Sequence, residues 1–141
     1  MTRSNPTIDR LRGVPLFSAC TDDELKLIAS TTTEVHSKAG DVLAREGQSG
    51  REFVVIVEGT ARVKVADREV ATLGPGDFFG EIALLDNGPR TATVVAETDL
   101  VADVSSHQEF AALIEGAPTL ARKLLVGIAQ RLRAADILLS I

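Results

Sequence analysis

Cysteine is almost absent from this sequence. The single thiol, Cys20, cannot close an intrachain bridge, so nothing asks for an oxidising compartment and the cytoplasm is the expected one. Histidine is nearly as scarce. His36 and His107 stand far apart, with no cysteine cluster beside them and no carboxylates at ligand spacing, which removes a structural zinc site. Neither lies in a recognisable nucleophile motif, so hydrolytic readings start weak. Long hydrophobic runs are missing too: Phe53–Val57 is five residues long and is closed by Glu58, far short of the roughly 20 that span a bilayer. The start, Met1 to Gly13, is polar and holds no apolar stretch of signal-peptide length. Finally there is no basic excess. Fifteen Lys and Arg against twenty Asp and Glu give a net charge of -5, the wrong sign for a general nucleic-acid binder. A small anion held in one local pocket is still allowed.

What is present describes a single folded domain over residues 1–141. With 141 residues, 45% apolar and 25% charged, the chain can bury a core without a metal or disulfide staple. Its texture changes three times. From about 6 to 30 it reads helical, with Thr21-Asp22-Asp23-Glu24 as a capping box and Cys20 and Leu25 at the flanking staple positions. From about 33 to 105 the period falls to two. Ala61-Arg62-Val63-Lys64-Val65 alternates apolar with charged residues, and Phe53–Val57 suits a strand covered on both faces. Val70–Leu73, Thr91–Ala96 and Leu100–Val104 supply further strands. Turns at Gly40, Gly47, Gly50, Gly59, Gly74-Pro75-Gly76 and Gly88-Pro89 separate short strands, which predicts an antiparallel sandwich or barrel. From about 106 to 141 helical spacing returns. Ser106 and Glu109 form a second capping box, Pro118 is placed as a first-turn proline, and Leu120, Leu124, Ile128, Leu132, Ala135 and Leu139 make one stripe. His36 and His107 read as exposed residues on a strand and at a helix start, and Asp77 as a turn former.

One segment breaks the β pattern. Between two strands lies Gly76-Asp77-Phe78-Phe79-Gly80-Glu81-Ile82-Ala83-Leu84-Leu85-Asp86-Asn87-Gly88-Pro89-Arg90-Thr91-Ala92. Ile82–Leu85 has room for one helical turn, whose first N–H groups lack internal partners and suit an anion. Gly80 allows close approach to the backbone. Pro89 stiffens the return and delivers Arg90, whose guanidinium matches a phosphate. Glu81 would repel a phosphate but would accept from the hydroxyls of a ligand that carries both.

These residues resemble the phosphate-binding cassette of the cyclic nucleotide-binding domain family. The match runs through Phe79-Gly80-Glu81-Ile82-Ala83-Leu84-Leu85 and Pro89-Arg90-Thr91-Ala92, with glutamate and arginine nine positions apart. The resemblance implies a mainly β fold, an eight-stranded antiparallel jelly roll with an N-terminal helix and two C-terminal helices. It implies that Glu81 takes the ribose 2′-hydroxyl and Arg90 an exocyclic phosphate oxygen. Gly80, Ile82, Ala83 and Thr91 complete the site, the N–H groups of Ala83 and Thr91 facing the phosphate. Val63, Val70 and Leu73 match positions that touch the base. The expected ligand is cyclic AMP, with cyclic GMP as the rival because Thr91 suits either, and no metal or catalytic residue is implied.

The function so implied is a non-catalytic sensor or regulatory module. Its signal would leave through the terminal helix, hinged at Gly116-Ala117-Pro118, with Leu132, Ala135 and Leu139 meeting the ligand, a homodimer partner or an effector domain. Two readings compete: a jelly roll kept only for protein contact, and a cupin-type enzyme, for which the two isolated histidines are the wrong pattern. Bacterial transcription factors of the family carry a helix-turn-helix after the long helix. None precedes Ile141 here, so direct nucleic-acid binding is not expected, and the chain reads as a free-standing receptor or a piece of a longer protein.

Overall fold

A computed structural model of the protein describes residues 6–135. The helical lead-in comes in three pieces: α1 (Pro6–Arg12), a 3-10 turn at Pro15–Phe17 and α2 (Asp22–Thr31). Both halves of the first capping box are present. Thr21 Oγ1 accepts from the Glu24 N–H at 3.2 Å, and Glu24 Oε1 accepts from the Thr21 N–H at 2.9 Å. The second Glu24 oxygen accepts from the Thr119 N–H at 2.8 Å, so one buried carboxylate caps two helices that are distant in sequence. Burial alone would raise its pKa, but the hydrogen bonds from Thr21 and Thr119 outweigh that and hold it low. Cys20 packs beside this corner, and chiefly burial pushes its thiol up to about 11, which leaves it inert.

Eight strands follow: β1 (Thr33–Ser37), β2 (Val42–Ala44), β3 (Glu52–Glu58), β4 (Ala61–Val65), β5 (Arg68–Leu73), β6 (Phe78–Phe79), β7 (Thr93–Ala96) and β8 (Leu100–Ser106). They form two four-stranded antiparallel sheets in the orders β1-β8-β3-β6 and β2-β7-β4-β5. This is the antiparallel sandwich the turn spacing predicts, in the jelly-roll form the resemblance implies, although β7 begins at Thr93, two residues after the expected Thr91. Strand β3 shows why its sequence is an unbroken apolar run. Val54 and Ile56 point between the sheets, with Ala61, Leu73, Phe79, Val94 and Ala102. Phe53 and Val55 point the other way, into a layer of helices built on Leu11, Phe17, Leu25, Phe110 and Leu120.

The helices of that layer are α1, α2, α4 (His107–Gly116) and α5 (Pro118–Ala135). Ser106 and Glu109 form the second capping box as expected. His107 opens α4 half-buried rather than exposed, because it lies in the angle between that helix and the loop leading out of the cassette. On α5 the apolar stripe does two different things. Leu120 and Leu124 are buried and Ile128 packs at the edge of the core, whereas Leu132 is 65% exposed. Leu139 and the side chain of Ala135 lie outside the described residues. The expected hinge is a tight joint. Ala117 is fully buried and its N–H donates to Leu113 O at 2.9 Å, Gly116 lies against Leu27, and Glu24 ties the next turn at Thr119.

Candidate functional site

The segment between β6 and β7 folds into a helix, α3 (Glu81–Asp86), entered through Gly80 and six residues long where a single turn over 82–85 is expected. Gly80 has φ +98°, a conformation that side-chain-bearing residues rarely adopt. A Cβ here would overlap Glu52 O and Arg90 Nη1. The glycine therefore makes room for the arginine as much as for a ligand. Gly50, in the β2–β3 loop, does the same, since a Cβ there would overlap Arg90 Nε. Two backbone hydrogen bonds fasten the arginine's own residue to that loop: Gly47 N–H to Arg90 O at 2.9 Å and Arg90 N–H to Gln48 O at 2.8 Å.

Arg90 is thus no solvated loop arginine; only 9% of it is exposed. Burial lowers its pKa, and the carboxylates of Glu52 and Glu81 partly offset that. Its Nη1 is buried with no hydrogen-bond partner among the described residues. Glu81 is buried still more completely, at 3% exposure, and its Oε2 is likewise unpartnered. A buried donor and a buried acceptor without partners are costly, typically about 1–3 kcal/mol each, and demand an explanation. Both side chains line one cavity of about 260 Å³ whose remaining wall is mostly apolar. A molecule carrying an anionic group and a hydroxyl would satisfy both groups at once.

Of the residues singled out in the sequence, Gly80, Glu81, Ile82, Ala83, Arg90, Thr91, Val63 and Leu73 line this cavity. Val70 does not. It is 58% exposed, and Ala71 stands in its place. Strand parity explains the correction: Leu73 and Ala71 are two apart and share a face, whereas Val70 is three from Leu73. Val70 is also the extra residue of a β-bulge, because Val63 pairs with Ala71 while the next residue, Lys64, pairs with Glu69.

The sequence reading missed Arg131. From α5 its Nη1 donates to Glu81 Oε1 at 3.1 Å, its Nη2 donates to the carbonyl of Phe78, and its guanidinium lies 4.3 Å from the centre of the Phe78 ring. It joins the far helix to the cassette carboxylate. A signal is present, since Arg131 stands seven residues after Leu124 and three after Ile128, inside the apolar stripe where a charge needs a partner, but nothing local names that partner, which is 50 residues away. Among the described residues no three His, Cys, Asp or Glu side chains gather to hold a metal ion, and no helix is long and apolar enough to cross a membrane.

Comparison with known proteins shows the family and the fold. Residues 34–116 match the family model described as cyclic nucleotide-binding domain. The chain is 32% identical over 132 residues to the cyclic AMP receptor protein of Thermus thermophilus, covering 90% of this chain and 61% of that one. It is 38% identical over 86 residues to a cAMP-dependent protein kinase regulatory subunit of Eremothecium gossypii, covering 61% of this chain and 19% of that one. Its fold superposes on the crystal structure of the Thermus thermophilus catabolite activator protein with a TM-score of 0.78 and 32% identity, over 89% of this chain and 61% of that one. The chain therefore spans less than two thirds of these relatives. With its cassette intact and its sheets in the order described, the chain belongs to the cyclic nucleotide-binding domain family.

Proposed function

We propose that this chain is a non-catalytic cyclic nucleotide sensor whose ligand is cyclic AMP. The observation that carries the reading is the pair of unpartnered buried groups, Arg90 Nη1 and Glu81 Oε2, on one cavity. Arg90 neutralises the cyclic phosphate, with the N–H groups at Ala83 and Thr91 beside it. Glu81 accepts from the ribose 2′-hydroxyl. The base lies on the apolar wall of Val63, Ala71 and Leu73. Preference for adenine over guanine rests on the similarity to the cyclic AMP receptor protein and on nothing in the wall itself. The module acts within the cytoplasm as a regulatory domain, and what it regulates lies with an effector domain or a second subunit met through α5.

The signal leaves through Arg131, which couples Glu81 to α5. Since the joint at Gly116–Pro118 is packed and capped, the moving part is the distal half of the helix. Gly127, set against the Phe78 ring, marks the pivot: it is a helix-weakening residue at the point where α5 crosses the cassette. Ligand binding shifts the balance between arrangements of this half by no more than its differential affinity for them.

The test is the sugar. The parent should bind cyclic AMP more tightly than 2′-deoxy cyclic AMP, and Glu81→Ala should weaken the ribo form by about 1.5–3 kcal/mol while hardly affecting the deoxy form. Equal affinities of the parent for both forms in calorimetry would remove Glu81 from ribose recognition. No binding of any cyclic nucleotide would favour a module used for protein contact alone.

A further inference from the structure

A second cavity, of about 340 Å³, lies behind the cassette. Its wall is made by Ser49 and Arg51 from the β2–β3 loop, by Asn87, Gly88 and Pro89 on the way out of α3, and by His107 at the start of α4. None of the described residues lining it is acidic, although the protein carries five more acidic than basic side chains (20 against 15). The first-turn carboxylate of α4, Glu109, is turned away onto the Ser106 N–H at 2.8 Å. Neither Arg51 nor His107 enters an ion pair with a described residue. A guanidinium, an imidazole, a hydroxyl and an amide therefore border one hollow that no described acidic side chain lines.

We propose that this rear cavity is a separate binding site for a small phosphate-bearing anion, and that its occupancy is coupled to the front site through Arg90. The donor set fits a phosphate better than a carboxylate, because a phosphate offers three or more acceptor oxygens to the Arg51 fork, the His107 ring and the Ser49 hydroxyl at once. The coupling is geometric. The two loops that wall the cavity are the two that hold Arg90: 47–50 by its backbone hydrogen bonds and the close approach of Gly50, and 87–89 by direct chain connection. An anion that gathers Arg51 and the Asn87 amide against His107 clamps both loops to the start of α4. It thereby fixes the guanidinium before the cyclic nucleotide arrives, which strengthens nucleotide binding, and the nucleotide strengthens anion binding by the same factor.

The experiment is a titration of the folded chain with pyrophosphate, followed by amide and imidazole chemical shifts. The expected result is saturable change at Ser49, Arg51, Asn87, Gly88 and His107, weakened about tenfold or more in Arg51→Ala and in His107→Gln. Citrate should bind at least tenfold more weakly than pyrophosphate. In calorimetry, saturating pyrophosphate should tighten cyclic AMP binding about threefold or more in the parent and leave it unchanged in Arg51→Ala. Shifts confined to Gly80–Ala83 and Thr91 would mean that pyrophosphate enters the front site only, and would overturn the proposal. So would citrate binding as tightly as pyrophosphate, or an Arg51→Ala variant titrating like the parent. Binding at the rear without an effect on cyclic AMP affinity would overturn the coupling. Because the shifts are read without nucleotide, the rear site stands or falls separately from the sensor reading.

Discussion

Two buried carboxylates in this protein look alike at first. Glu81 and Asp103 are each met at 3.1 Å by an arginine from a flanking helix, and each keeps one oxygen without a hydrogen-bond partner. The difference lies in where the unpartnered donor is. At Asp103 it is Nη1 of the same Arg10 that already pairs with it, and Glu34 adds a further contact to that guanidinium at 3.4 Å. The two side chains are already one ion pair, which fastens α1 to the outer face of β8, although they too border a hollow, with Thr32 and Glu34. At Glu81 the unpartnered donor belongs to a different residue, Arg90, with which Glu81 forms no ion pair, and the two face a common cavity. An ion pair already formed holds two elements together; a buried donor and acceptor on one cavity that do not meet each other await a third molecule.

Substituting Arg90 breaks the comparison most sharply. Arg90→Ala removes the cation proposed to pair with the phosphate, with an expected loss of about 3–5 kcal/mol in nucleotide affinity, a hundredfold or more. The same change should leave the unfolding midpoint without nucleotide unmoved or slightly raised, since it deletes a buried, unpartnered group rather than a contact. Calorimetry and thermal unfolding of one variant check both halves. Binding within threefold of the parent would place the phosphate elsewhere.

Arg10→Ala should do the reverse, costing stability and sparing affinity. It leaves Asp103 buried without its cation. The expected loss is about 3 kcal/mol, at the low end for a broken buried pair because a third of the Arg10 side chain reaches solvent. Burial already raises the Asp103 pKa in the folded protein, and Arg10 works against that shift, so the variant raises it further. A carboxyl with a raised folded pKa stabilises the fold while protonated and loses that contribution as pH climbs through the folded value. The deficit should therefore be greatest near pH 7 and shrink towards about pH 4.5 in urea unfolding. An equal deficit at both would show that Asp103 is not the group left exposed to the loss.

How far these two pairs can be read in the sequence differs for a physical reason. Glu81 and Arg90 lie nine residues apart, in a segment whose glycines and proline force one local geometry, so both were legible along with the helix between them. The capping boxes at Thr21 and Ser106 were legible for the same reason: their partners are three residues away. Asp103 with Arg10, Glu24 with Thr119, and Arg131 with Glu81 were not, because each depends on how the helical layer settles on the sheet. Val70 failed at an intermediate scale. The sequence marks its strand, but the face is decided by parity relative to Leu73 and by a bulge that no residue pattern announces.

The smallest effect expected is at Arg131, and it bears most directly on how the cavity communicates. Its side chain is 41% exposed, so its salt bridge with Glu81 is partly screened, and Arg131→Ala should lower stability by only about 1 kcal/mol, the range of a weak ion pair with a cation–π contact. Coupling should suffer more than stability. With Arg131 present, any donor that competes for Glu81 also bears on the helix that carries the arginine. In Arg131→Ala, a nucleotide can occupy the cavity without disturbing α5. Arg131→Lys keeps the charge but loses the fork that reaches Glu81 and the Phe78 carbonyl together, and it should behave more like alanine than like arginine. Amide hydrogen exchange over 118–135, with and without saturating cyclic AMP, reads this directly. The parent should show a nucleotide-dependent change beyond Gly127, and both variants should show most of it gone while still protecting Gly80–Thr91. A full response of α5 in Arg131→Ala would mean that the helix senses the ligand by packing alone, through Phe78, and that the carboxylate contact is incidental.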